Sequence, residues 1–147
     1  MKWGLALLLL SFCVFPCHAN LGETVAQCVT RYGTPVHFTE ANGKSPFGTV
    51  TFAAGEYILM IFLSNGHEVG AKVSKADKSD FSDADRQTIM SVDASSPWSS
   101  IPSDDPTCLA WTRADKAKVL YDKEKHLLIF TSAEMAQILD AQTKKSP

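Results

Sequence analysis

The stretch YILMIFL, residues 57–63, narrows the possible folds more than any other part of the chain. Every position is apolar, so a strand built from it is apolar on both faces. Its shortness and its β-branched and aromatic content predict a buried central strand rather than a helix. Ser64-Asn65-Gly66 follows, a strong hairpin signal. HEVGAKVSK, residues 67–75, then alternates, with Val69, Ala71 and Val73 expected to face inward and Glu68 and Lys72 outward. TVTFA, residues 49–53, precedes the apolar run across the turn AAGE. These pieces read as three antiparallel strands in a meander.

The second half repeats the rhythm. CLAWTR (108–113), AKVLYD (117–122) and HLLIFT (126–131) read as three more short strands, divided by turns at Ala114-Asp115 and Lys123-Glu124. VHF (36–38) is a shorter piece of strand. Residues 39–48, with Asn42-Gly43 as a turn, and residues 95–106 read as loops. Three helices frame the strands. From Thr24, Val25, Cys28, Val29 and Tyr32 recur at helical spacing, with Glu23 read in the first turn and Arg31 in the last. Gly33 stops that helix and Pro35 prevents its resumption. Ser82 caps a second helix, with Asp83 and Asp85 in its first turn, predicted to run through Ile89 and Val92 to near Ala94. Ser132 caps a third, to about Gln142, whose apolar positions are Met135, Ile138 and Leu139. The expected fold is α+β: an antiparallel sheet of about six strands in two meanders, with three helices packed mainly on one face. A single domain is expected over residues 20–143, with 144–147 a frayed tail.

The first residues point to export. Lys2, the apolar run from Gly4 to Val14, and Pro16-Cys17-His18-Ala19 have the order of a secretory signal peptide, residues 1–19, cleaved after Ala19. The run is shorter than the roughly 20 residues of a membrane span. A lipid anchor on Cys17 would want a small residue before it, and Pro16 is not one. The expected location is therefore periplasmic or secreted. Loss of Lys2 takes the formal charge from −2 to −3. That mild acidity lacks the basic face that nucleic acid requires. No second long apolar run remains, so no membrane span is expected in the mature chain.

Little in the sequence announces chemistry. Cys28 and Cys108 are the cysteines left after cleavage, and in an exported protein they read either as a disulfide or as two buried thiols. A bridge would close a loop of about 80 residues, stabilising by about 4–5 kcal/mol in the chain-entropy model. His37, His67 and His126 have no His or Cys neighbour at metal-ligand spacing. No nucleophile elbow, zinc signature, phosphate loop or dinucleotide fingerprint is present. Asp104-Asp105 reads as a solvated loop, and Asp83 with Asp85 as a helix cap. Asp80, Asp83 and Asp85 lack the Gly and distal Glu of a calcium loop. No catalytic residue, cofactor or metal ligand is read. Trp98, in a Ser- and Pro-rich loop, is either a lid on the core or a partner anchor. Phe47 and Trp98 are the candidate partner contacts, whereas Trp111 lies in a strand and reads as core.

Gly22, Gln27, Tyr32, Gly33 and Pro35 match the spacing that opens small periplasmic proteins of the SmpA/OmlA (BamE-like) type. Cys28 stands where that pattern has Val, and Tyr32 where it has Leu. The resemblance covers residues 22–35. The chain also resembles exported bacterial proteins of unknown function, and it is similar to beta-lactamase-inhibitor-like small α+β proteins, whose helices lie against an antiparallel sheet. These resemblances imply a non-catalytic role in envelope assembly or protein binding, and they carry over no functional residue. The expected function is thus an exported soluble module that binds another envelope or extracellular protein. The alternative is a small secreted hydrolase whose site is assembled from distant residues such as His37, His126 and Asp104. A third reading is a structural envelope protein with no specific ligand.

Overall fold

A strand that is apolar on both faces must be covered on both, and the molecule does this with one sheet between two unequal helical layers. The computed structural model describes residues 20–92 and 96–144. The elements are α1 (Val25–Tyr32), β1 (His37–Thr39), β2 (Gly48–Ala54), β3 (Tyr57–Ser64), β4 (His67–Lys75) and α2 (Asp83–Met90). There follow β5 (Ser99–Ile101), β6 (Cys108–Thr112), β7 (Lys118–Asp122), β8 (Leu127–Thr131) and α3 (Ala133–Thr143). The signal peptide, residues 1–19, lies outside the described residues. No described helix is long and apolar enough to cross a membrane.

The α+β class stands, but the sheet corrects the expected arrangement. There are eight strands, not about six, and they form one continuous antiparallel sheet in the order β1-β2-β3-β4-β8-β7-β6-β5. The halves fuse where β4 pairs with β8, from Gly70 opposite Thr131 to Val73 opposite Leu128. Ala71 and Val73 on β4 lie beside Phe130 and Leu128 on β8, so the junction continues one apolar face and removes two exposed edges. The two strands left out of the expected count are the edges. β5 forms in the Ser-rich loop because Ser99, Ser100 and Ile101 find partners in Thr112, Trp111 and Ala110. β1 takes up the short piece read at residues 36–38, whereas β5 has no apolar rhythm of its own to betray it.

The larger core lies on the face covered by α1 and α2. It holds Val50 and Phe52 of β2, Leu59 and Ile61 of β3, Ala71 and Val73 of β4, Tyr121 of β7, and Leu128 and Phe130 of β8. Cys28 comes from α1 and Ile89 and Met90 from α2, while Phe81 enters from the loop before α2. Phe81 stacks on Tyr57 and meets Tyr121 edge-on. The smaller core lies under α3, where Met135 and Ile138 meet Phe47, Phe62 and Val69. β3 thus sends Leu59, Ile61 and Leu63 to one side and Phe62 to the other, as its two-sided apolarity requires.

Local chemistry sets the helix ends. The N-caps Thr24, Ser82 and Ser132 each accept from a backbone N–H three residues on. Thr24 with Gln27, and Ser82 with Asp85, complete capping boxes. Gly33, at φ 85°, ends α1 by donating its N–H to Val29 O at 2.9 Å. The second helix stops at Met90 with Ser91 as its cap, short of the expected Ala94. The Asn65-Gly66 turn has both residues at positive φ, 49° and 81°, matching the twist of the β3–β4 hairpin.

One irregularity rearranges a face. The β3–β4 register shifts between Phe62 and Leu63: Phe62 is opposite Gly70, while Leu63 is opposite Glu68. The extra residue, Val69, joins the core under α3. Glu68 is thereby turned to the α1 side and is 1% exposed. The simple alternation read from the sequence, with Val69 on the face of Ala71 and Val73 and Glu68 outward, is corrected by this bulge.

Candidate functional site

The bulge builds a polar cluster beneath α1. The segment before that helix runs antiparallel to the start of β4. Gly22 N–H donates to Glu68 O at 2.8 Å, Glu68 N–H donates to Glu23 O at 2.7 Å, and Thr24 bridges to His67. This pairing sets Glu23 beside Glu68. The Thr24 cap then fixes the start of α1, and one turn later Cys28 points to the same place. The donor atoms of Glu23, Cys28 and Glu68 all lie within 4.8 Å of one another, and all three residues are buried.

Glu23 is 9% exposed. Its Oε1 accepts from Asn20 Nδ2 at 2.9 Å and from the Arg31 guanidinium. Its Oε2 is buried and has no hydrogen-bond partner. Glu23 therefore precedes the helix and ties to Arg31 across it, rather than sitting in its first turn. Burial, reinforced by the negative charges of Glu68 and Glu23, pushes the Cys28 thiol up to about 12. Cys28 is accordingly a protonated thiol at neutral pH and not a ready nucleophile. A depression of about 440 Å³ on the outer side of α1 is lined by Glu23, Ala26, Gln27, Thr30 and Arg31. It reaches the cluster at Glu23.

The residues singled out from the sequence are placed differently from that cluster. Cys28 and Cys108 are both free and buried. Cys28 lies against Glu68 of β4, whereas Cys108 opens β6, with β8 and β7 between those strands. Strands are spaced by about 4.8 Å, so the sheet holds the two thiols apart. Phe47 is not a surface anchor. It is 4% exposed and meets Phe62 edge-on beneath α3, because the loop before β2 folds back onto that face. Trp98 is half-buried and acts as a lid. Its ring meets Phe130 edge-on, its indole N–H donates to Met90 O at 2.9 Å, and the Arg113 guanidinium stacks 4.7 Å above it.

The histidines do not gather. His37 lies within 3.0 Å of Thr39 on β1, His67 within 3.1 Å of Glu134 on α3, and His126 within 3.4 Å of Asp80. The His67 contact, then Ser64, holds the Glu134 carboxyl below its ordinary range. His37 is on one edge strand and Asp104 follows the other, β5. Seven strand spacings of about 4.8 Å separate the edges, roughly 30 Å. The trio His37, His126 and Asp104 is thus not assembled.

A second surface stands out at β1. This strand has a neighbour on one side only, and all three of its residues are exposed. Phe38, 54% exposed, is opposite Val50, and Val36, 64% exposed, lies immediately before the strand. Phe38 shares the face of Val50 and Ile61 yet is left exposed.

Neither surface was legible as a motif. Glu23, Cys28 and Glu68 are too far apart in the chain to form a spacing pattern, and simple alternation assigned Glu68 to the outside. No family model matches the sequence, and no curated protein matches it. Among solved structures, the chain is similar to a cysteine-rich secretory protein from Staphylococcus aureus subsp. aureus Mu50. The TM-score is 0.47 at 10% identity, over 78% of this chain and 44% of that one, so the chain spans less than half of that protein's length.

Proposed function

We propose that this chain is an exported, non-catalytic module that binds an extended segment of another envelope or extracellular protein along the edge strand β1. The observation that carries this reading is the exposure of Val36 and Phe38 beside an unpaired strand edge. An unpaired strand edge is a template for pairing with another chain. Here an incoming strand gains main-chain hydrogen bonds from β1, and its own apolar side chains reach exposed Val36 and Phe38. This is the chemistry of strand addition, in which the backbone supplies affinity and alternate side chains supply specificity. The order of residues 1–19 supports export, to the periplasm or beyond.

A photo-crosslinking residue placed at position 38 of the exported protein tests the reading, with the same residue at exposed Lys123 as the control. The expected result is a discrete adduct from position 38 only. The partner so identified, once purified, should bind the wild-type chain and lose affinity at least tenfold for Phe38→Asp, while Trp98→Phe retains it. Equal labelling from both positions, or undiminished binding by Phe38→Asp, refutes the proposal.

A further inference from the structure

The cluster beneath α1 has no part in strand addition, and its composition points elsewhere. We propose that Glu23, Cys28 and Glu68 form a binding site for one divalent transition-metal ion of the zinc(II) class, with a fourth position left for water. Three observations converge. The first is convergence itself: three donors from three separate segments, the turn before α1, α1 and the β4 bulge, lie within 4.8 Å of one another in a buried space. A four-coordinate zinc with bonds of about 2.0–2.3 Å places its ligands roughly 3.3–3.8 Å apart, so modest side-chain rotation closes the set.

The second is Glu23 Oε2, an oxygen on a residue more than nine-tenths buried, with no hydrogen-bond partner. Asn20 and Arg31 hold the other oxygen and so orient this one, as hydrogen-bond partners behind a metal-ligating carboxylate do. The third is charge. Two carboxylates and a thiol converge in a buried place, where negative charge is costly. A divalent cation offsets the charge of the donors that hold it.

The donor set selects the ion. Magnesium and calcium take oxygen ligands in larger number, whereas a thiolate with two carboxylates suits zinc or cobalt. Binding breaks the Cys28 S–H bond, forms a sulfur–metal bond and releases the proton to water.

The exported protein, purified, reduced and stripped of metal, is titrated with cobalt(II) chloride. The expected result is saturation at one ion per chain, with a near-ultraviolet thiolate-to-cobalt charge-transfer band that zinc(II) chloride bleaches. Cys108→Ser keeps the band, Cys28→Ser loses it, and Glu68→Gln weakens cobalt binding at least tenfold. Zinc raises the thermal midpoint of the wild type and of Cys108→Ser but not of Cys28→Ser, and circular dichroism without metal establishes that each variant is folded. The wild-type titration stands even if a variant does not fold. No charge-transfer band in the wild type, a band that persists in Cys28→Ser, or one that vanishes in folded Cys108→Ser overturns the proposal. The cluster is then a buried carboxylate pair with a protonated thiol, and Arg31 serves Glu23 without a metal.

Discussion

Gly70→Ala is a test of sign as well as size. Gly70 sits in β4 where the halves of the sheet join, opposite Thr131 on one side and Phe62 on the other. It is not among the glycines at positive φ, so its backbone is open to alanine. On propensity, replacing a strand glycine should stabilise by about 0.5–1 kcal/mol. The packing says the reverse. A Cβ there would collide with the Met135 sulfur and would lie 2.7 Å from the Phe130 carbonyl oxygen. Met135 has a flexible end and can yield, but the carbonyl belongs to the β8 backbone. Overpacking of this kind costs about 1–3 kcal/mol. The net expectation is a loss of about 1–2 kcal/mol, or roughly 4–8 °C in thermal midpoint for a domain of this size. Urea and thermal denaturation followed by circular dichroism measure it. In a double-mutant cycle with Met135→Ala the two losses should be less than additive, because the second change removes half of the clash. A Gly70→Ala chain as stable as the wild type, or more so, refutes the close approach of α3 and β8 at this position.

Trp98→Ala should lower stability by about 2–3 kcal/mol in urea denaturation, since it uncovers Phe130 and leaves Met90 O without its indole donor; a change below about 0.5 kcal/mol would restore Trp98 as a surface residue. The Asp85 carboxyl is held below its ordinary value by the hydrogen bond from Lys75 Nζ, at 2.9 Å, and then by Ser82 N–H. Because its folded value is depressed, its contribution is complete above the ordinary carboxylate range and is lost as pH falls through the folded value. Asp85→Asn should therefore cost about 1 kcal/mol at pH 7 and progressively less in acid, as read from urea midpoints across pH; a difference that grows in acid contradicts the pairing. Cys28 and Cys108, both buried and free, should resist a thiol reagent in the native metal-free protein and should both titrate in denaturant under non-reducing conditions. Protection of both in denaturant would mean that they are bridged.

Features governed by neighbours in the chain were readable in advance. Ser82 and Ser132 cap helices because a side-chain oxygen meets a backbone N–H three residues on, whatever lies elsewhere. Asn65-Gly66 turns a hairpin because both residues tolerate positive φ. YILMIFL is a central strand because it has no polar face to give to water. The edge strands were harder, since β1 and β5 exist only through the partners that supply their hydrogen bonds. Phe47 was read as exposed from its polar loop, yet the loop folds under α3.

What the amino-acid order determined by itself is the α+β inventory: three capped helices, the turns, and strands with their apolar rhythm. All of these rest on interactions spanning a few residues. What only the tertiary structure decided is how the pieces meet. The β4–β8 junction makes one sheet of two meanders, and a single bulge at Val69 moves Glu68 from the expected surface to the interior beside Glu23 and Cys28. A period-two pattern carries no mark of one extra residue, because the slip is fixed by packing against α1 on one face and α3 on the other. The placement of Glu68 therefore turns on a register that local sequence does not encode.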